Sequence, residues 1–278
     1  MSSQGLGDGP YGGYRTYGQN LQAFSGITWL WSHPDDPYPV GTGLNHPDHV
    51  AGKQALAAIT AALMHRDRTG EGTYLDCAQF EAAIQMVGDR YVHHQLEEDG
   101  ARPIGNASFD MAPHGCYRCA GEDEWVAIAV EDDDAWVRLG AELGEAWCNE
   151  DRFATTTGRM AHRKHIDDCL ESWTAEQRAE DVERRLRRAG VAVSTVRKGP
   201  DLAADAEAHE SRFYQVVPHP TAGARCYTGL PVSFAEGERF TLRRPPMLGE
   251  HDEVVLYDVL SLSGAEVGRL AATGAIGV

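Results

Sequence analysis

Two rhythms of apolar positions divide this chain into a helical first part and a mixed remainder. Ala and Leu positions recur at helical spacing over residues 51–64 and predict a helix buried on most sides. Arg66-Asp67-Arg68 puts cations in its last turn, and Gly70 ends it. Residues 17–31 are mostly apolar and predict an earlier helix that tolerates Gly26 for close packing. Residues 32–47, rich in proline and glycine, read as an ordered loop leading to Asp48. After a short strand or extended lead at 74–76, residues 77–97 predict a long amphipathic helix.

Near Gly100 the pattern changes to alternation. Residues 115–120 and 124–130 predict a hairpin turned by Gly121-Glu122-Asp123. Asp132-Asp133-Asp134 opens the helix that follows at 135–143, where N-capping and dipole complementarity explain the acidic run better than a metal does. Helices at about 161–173 and 175–189 come next, the second with a solvated Arg-rich face and Gly190 as its stop. A strand at 191–196, a helical stretch at 200–210, strand and turn at 213–242 and two short helices within 251–272 complete the chain.

Composition narrows what such a chain does. Its 278 residues suffice for a sizeable core. Against 42 Asp and Glu stand 25 Lys and Arg, a net charge of −17. That balance argues against nucleic-acid partners, which need cationic contacts to phosphate, and against a polybasic membrane anchor. No run of 18 apolar residues predicts a spanning helix, and the first residues show no secretory pattern, so a cytoplasmic location is expected. The six cysteines are scattered; Cys116 and Cys119 form a lone C-x-x-C without a second pair and read as free thiols, with no metal expected. No P-loop, G-x-G-x-x-G, G-x-S-x-G or H-E-x-x-H motif is present.

Asp48 is the residue that invites chemistry. It lies in Gly-Leu-Asn-His-Pro-Asp-His-Val-Ala-Gly, at the start of the alanine-rich helix. A carboxylate there is read from the residues alone as a helix cap or as a nucleophile.

Four stretches together resemble the family III CoA-transferases, which include formyl-CoA and carnitine-CoA transferases and α-methylacyl-CoA racemase. They are Leu21-Gln22-Ala23-Phe24-Ser25-Gly26; Pro47-Asp48-His49-Val50-Ala51-Gly52 with its helix and Arg68-Thr69-Gly70-Glu71-Gly72; Gly105-Asn106 with Ala112-Pro113-His114-Gly115-Cys116-Tyr117; and Pro246-Met247-Leu248-Gly249-Glu250-His251. Their order over nearly the whole chain makes the match specific. The resemblance implies that Asp48 is the nucleophile of CoA transfer, through an aspartyl anhydride and an aspartyl-CoA thioester. It implies substrate contacts for Gln22, His114 and Gly115, and a CoA contact for Arg68. Each also has a local reading: a helix-end hydrogen bond for Gln22, a structural histidine beside a Pro-Gly turn for His114, a helix C-terminus for Arg68. Residues 105–115 resemble the loop over the active site, but lack the glycine tract of formyl-CoA transferases, a departure that points away from formyl or oxalyl substrates. Tyr17 stands where the racemases carry a histidine, and a phenol with a pKa near 10 is a poor acid/base at neutral pH, which favours transfer over racemisation.

By the same resemblance the fold class is α/β, α+β as an isolated chain. Residues 1–100 would be a partial large domain bearing the nucleophile, 101–200 a small α+β domain, and 201–278 a return to the large domain. Residues 2–10 resemble the loop that in relatives follows a nucleotide-binding-like region, for which this sequence has no counterpart. The expected substrates are an acyl-CoA and a carboxylic acid, with the coenzyme A thioester as substrate and no permanently bound cofactor. The expected partners are a second copy, as in the family's homodimers, or a subunit supplying the N-terminal half. The alternative is a non-catalytic or truncated partner of such an enzyme.

Overall fold

The computed structural model of the chain describes residues 13–39, 42–97, 100–232, 235–236 and 240–276. The loop resemblance at 2–10 lies outside them. Contacts group the chain into two units, 1–196 and 197–278. The class is mixed helix and sheet, with small antiparallel sheets.

The first unit opens with helices. Residues 17–31, expected as one helix, form two, α1 (Gly18–Phe24) and α2 (Ile27–Leu30). Gly26 is the reason: its φ of 82° is left-handed, so the chain turns there instead of continuing the helix. α3 (His46–Thr69) runs for 24 residues and ends on Gly70 as expected. Residues 77–97 also divide, into α4 (Gln79–Met86) and α5 (Gly88–Leu96), around Val87, whose φ of −121° and ψ of 22° lie outside the helical region. The short lead at 74–76 forms no strand. α1 and α4 pack against α3, and Ile27, Ala83 and Val87 form a small core.

The expectation that the alanine-rich helix is buried on most sides is overturned. Only Pro47 and Ala51 of α3 are buried, whereas Leu56 is 65% and Met64 52% exposed. Alanine lets a helix stand without packing because it has the highest intrinsic propensity and loses no side-chain entropy.

A second core lies in the same unit. β1 (His114–Arg118) and β2 (Trp125–Ala129) form the expected hairpin, with Tyr117 opposite Val126. β3 (Ala192–Thr195) adds antiparallel to β2, giving the order β1-β2-β3. α6 (Asp133–Leu143) starts on Asp132, whose Oδ1 accepts from the Ala135 N–H at 2.7 Å, so the acidic run does cap the helix. α7 (Thr156–Ala161), α8 (Arg163–Thr174) and α9 (Ala179–Arg188) follow. Val126, Ile128, Leu139, Phe153, Leu170 and Leu186 form the centre of this core.

The second unit is thinner. α10 (Gly199–Ala203) and α11 (Ala206–Glu210) divide the stretch expected as one helix, because Asp205 caps a new start by accepting from the Ala208 N–H at 2.9 Å. A hairpin of β4 (Tyr214–Val217) and β5 (Arg225–Thr228), a π-helical turn at Val254–Val259 and α12 (Gly264–Ala272) complete it. Among the described residues, no helix is long and apolar enough to cross a membrane.

Candidate active site

Asp48 is the third residue of α3, half-buried in its first turn. The unpaired N–H groups of a helix start carry partial positive charge, which favours a carboxylate at this position. Its Oδ1 accepts from Gln79 Nε2 at 2.6 Å, a contact made across the packing of α3 on α4. Pro47 sits inside the first turn, where its missing N–H costs no hydrogen bond.

The segment leading into Asp48 is held from α1. Gln22 is buried, and its Nε2 donates to the Leu44 carbonyl at 2.8 Å. Gly18 lies so close to Asn45 that a Cβ there would stand 2.3 Å from Asn45 Cγ. The Asn45 carbonyl accepts from the Asp48 N–H at 3.1 Å, and its side-chain Oδ1 is buried without a hydrogen-bond partner. Gln22 therefore meets the approach to Asp48, and Gln79 meets its carboxylate. Tyr17, just before α1, is 81% exposed.

Arg68 lies in the last turn of α3, exposed. It stands twenty positions along the helix from Asp48, about 30 Å at 1.5 Å per residue. The two face different parts of any shared ligand.

His114 and Gly115 open β1. His114 Nδ1 lies 2.6 Å from the Asn106 carbonyl. His114 also lines a cavity of about 730 Å³, walled by α2, α5 and the 104–110 loop. Asp48, Gln22 and Arg68 are not in that lining, but Trp31 is, and its ring meets His46 of α3 edge-on at 4.9 Å. Trp31 thus links the cavity to the first residue of α3, two positions before Asp48.

The loop over the cavity is pinned at several points. The Gly105 N–H donates to the Ser32 carbonyl at 3.2 Å, Arg163 Nη2 donates to the Ser108 carbonyl, and Arg159 Nε donates to the Ala112 carbonyl at 2.8 Å. Arg90 lies over the Phe109 ring at 4.1 Å. Gln79, Arg90 and Phe109 escape sequence reasoning, since each acquires its partner by packing between segments. Asn45 is different: it stands in the quoted stretch at the position of a helix N-cap.

The lone C-x-x-C gives free thiols. Burial, with the charge of Glu124 second, pushes Cys119 up to about 11, which disfavours the thiolate.

Known proteins share this architecture. A family model described as CoA-transferase family III matches residues 1–252. A probable CoA-transferase of Mycobacterium tuberculosis is 28% identical over 94% of this chain, which spans 34% of that protein. A formyl-CoA:oxalate CoA-transferase of Streptomyces avermitilis is 27% identical over 99% of this chain and 70% of its own length. A solved CAIB/BAIF family protein from Brucella suis superposes with a TM-score of 0.81 at 25% identity, covering 93% of this chain and 66% of its own. The chain therefore spans between about a third and 70% of these relatives.

Proposed function

The chain belongs to CoA-transferase family III, and from that premise we propose that it moves CoA between an acyl-CoA and a carboxylic acid, with Asp48 as the acyl-accepting carboxylate. The observation that carries this reading is the setting of Asp48, half-buried at the head of a 24-residue helix with Oδ1 engaged by Gln79. Oδ1 being occupied, Oδ2 is the attacking oxygen.

Oδ2 attacks the thioester carbonyl, the C–S bond breaks, and CoA leaves as thiolate from a mixed acyl–aspartyl anhydride. The thiolate then attacks the aspartyl carbonyl and releases the original acid, leaving CoA on Asp48 as a thioester. An acceptor carboxylate attacks that thioester, forming a second anhydride and freeing the thiolate. Attack of the thiolate on the acceptor's carbonyl yields the new acyl-CoA and restores the carboxylate. Each displacement replaces one activated acyl bond by another, so a hard exchange is divided into easier steps. CoA enters and leaves as substrate, without a resident cofactor.

The remaining candidates take supporting places. Gln22 and Gly18 fix the 44–48 segment, and His114 and Gly115 border the cavity beside it. Arg68 belongs to the far end of an extended CoA. Residues 1–100 carry the nucleophile and 101–200 the loop over the cavity. The exposed apolar side of α3, with Leu56, Ile59, Leu63 and Met64, supports association with another chain, a second copy or a complementary subunit.

Replacement of Asp48 by Ala or Asn in the natively assembled protein is expected to lower kcat/KM for CoA transfer by about 10³-fold or more, with the melting curve unchanged. Retained transfer in either variant contradicts the assignment.

A further inference from the structure

On the CoA-transfer reading, the charge on Asp48 Oδ1 changes through the cycle. In the free carboxylate this oxygen shares one negative charge with Oδ2. In the anhydride and the thioester it is a nearly neutral carbonyl oxygen. It carries a full charge whenever a nucleophile adds to the aspartyl carbonyl. A hydrogen-bond donor fixed against Oδ1 therefore binds those additions more strongly than the states between them.

Among the described residues, Gln79 supplies that donor, its Nε2 standing 2.6 Å from Oδ1. The helix start does not supply a second one. Pro47 has no N–H, His46 donates to the Leu44 carbonyl at 3.0 Å, and Asp48 and His49 both donate to the Asn45 carbonyl, at 3.1 and 3.4 Å. These amides lend the carboxylate their field and leave the hydrogen bond to Gln79.

Gln79 is held in place from both sides. It is the first residue of α4. Two positions before it, Cys77 Sγ donates to the Ala51 carbonyl of α3 at 3.6 Å, and farther along, Gln54 Nε2 of α3 donates to Gln85 Oε1 at 2.7 Å. The neighbouring Phe80 ring meets Phe24 of α1 at 4.8 Å. Such fixing is what gives an oxyanion donor its effect, since no reorganisation is needed when the charge arrives. A neutral amide also suits the position. A guanidinium or ammonium would pair strongly with the free carboxylate and blunt its attack.

We propose that Gln79 is a catalytic residue, its Nε2–H the oxyanion donor for each addition to the Asp48 carbonyl, a role that rests on Asp48 being the nucleophile. In the first addition the CoA thiolate sulfur bonds to Cγ and the carbonyl electron pair moves onto Oδ1. Its return breaks the Cγ–Oδ2 bond and expels the original acid as a carboxylate. In the second, a carboxylate oxygen of the acceptor bonds to Cγ and charge again rests on Oδ1. Its return breaks the Cγ–S bond and frees the thiolate. Neither step moves a proton. The opening attack of Oδ2 on the acyl-CoA differs: its oxyanion forms on the acyl oxygen while Oδ1 loses charge, so Gln79 does not assist it.

The test separates these steps in the natively assembled protein. The donor is butyryl-CoA or succinyl-CoA, whichever the native protein turns over faster, with the other acid as acceptor. Hydroxylamine opens the anhydride at its acyl carbonyl, so protein-dependent release of CoA in its presence reads the opening attack. Without hydroxylamine, acid quenching and mass spectrometry of the Asp48 peptide read formation of the aspartyl-CoA thioester. Gln79→Met, similar in length but without the donor, should keep CoA release within about threefold of native while forming the thioester, and completing transfer, about 10²-fold more slowly. Both steps are read in one protein, so a misfolded fraction cancels from their ratio. Gln79→His, which restores an Nε2–H at similar reach, should recover thioester formation to within about 10-fold of native. Equal slowing of both steps in Gln79→Met, unchanged thioester formation in it, or a Gln79→His variant no faster than Gln79→Met overturns this inference alone, provided Asp48→Ala is inactive. CoA release and transfer that persist in Asp48→Ala remove the proposed mechanism and this inference together.

Discussion

Arg159 shows how far a single residue governs the surroundings of the cavity. Its side chain is fully enclosed, donating to the carbonyls of Ala112, Phe153 and Asp132 and pairing with Asp133 at 2.9 Å. The Arg159→Met variant leaves those carbonyls without donors at about 1–3 kcal/mol for each one that stays buried. Urea unfolding is expected to show a loss of about 3 kcal/mol or more, and a loss below about 1 kcal/mol would mean that water replaces the guanidinium. Gly18 makes a second residue-scale case. An added Cβ would overlap Asn45 at its Cγ and its Cβ, so the side chain cannot swing clear. Gly18→Ala should cost about 1–3 kcal/mol by overpacking and displace the segment that carries Asp48, read as lost transfer activity at a temperature where the variant is still folded. Asp48 itself was legible because its neighbours in sequence are also its motif. Gln79 was not: 31 residues separate it from the carboxylate it touches, and only the packing of α3 on α4 joins them. Arg90 and Phe109 escaped notice for the same reason.

At the scale of elements, local signals predicted what local forces decide. The alternation of residues 115–130 gave the hairpin because Tyr117, Val126 and Ile128 must share a core. The acidic run gave the α6 cap because Asp132 finds its N–H partner three residues on. The helix breaks at Gly26 and Val87 were missed, since an apolar run with one glycine reads equally as one helix or two until its partners are placed. Two titrations belong here. β1 is tied to α8 by the Tyr117 hydroxyl donating to Asp167 at 2.7 Å. Burial raises the Asp167 carboxyl, and the hydrogen bond from Tyr117 with the charge of Arg163 only partly offsets it. A carboxyl raised in the folded state is more stable protonated there, so its contribution improves as pH falls. Asp167→Asn keeps the acceptor and removes the charge; its melting temperature at pH 7 should equal or exceed the native value, with the gap closing on acidification. A lower value at pH 7 would show that the charge itself is needed. In the second unit, the Glu250 carboxylate takes Arg244 and the Met247 N–H, and is held down to about 2 from 4.5. The clamp is therefore complete above about pH 4.5 and lost as pH falls toward 2. The Met247 amide resonance should titrate with a midpoint near 2, and a midpoint near 4.5 would show that no clamp exists in solution.

For the whole molecule, the long exposed helix is the main departure from what the sequence pattern implies. Ala-rich periodicity specifies a helix but does not say how much of it other elements cover. α3 leaves Leu56 and Leu63 to solvent beyond its first turns, which are covered by α1 and α4. Leu56→Glu with Leu63→Glu is expected to leave the chain cooperatively folded and to lower the mass seen by sedimentation, with any loss of stability shrinking on dilution as the native assembly also dissociates; an unchanged mass would separate this face from association. The central claim concerns Asp48, and covalent trapping tests it most directly. The natively assembled protein is incubated with an acyl-CoA and hydroxylamine, digested, and the peptide containing Asp48 is read by mass spectrometry. Conversion of Asp48 to its hydroxamate, dependent on the acyl-CoA, is the predicted result. An unmodified Asp48 peptide in a protein that is turning over contradicts it.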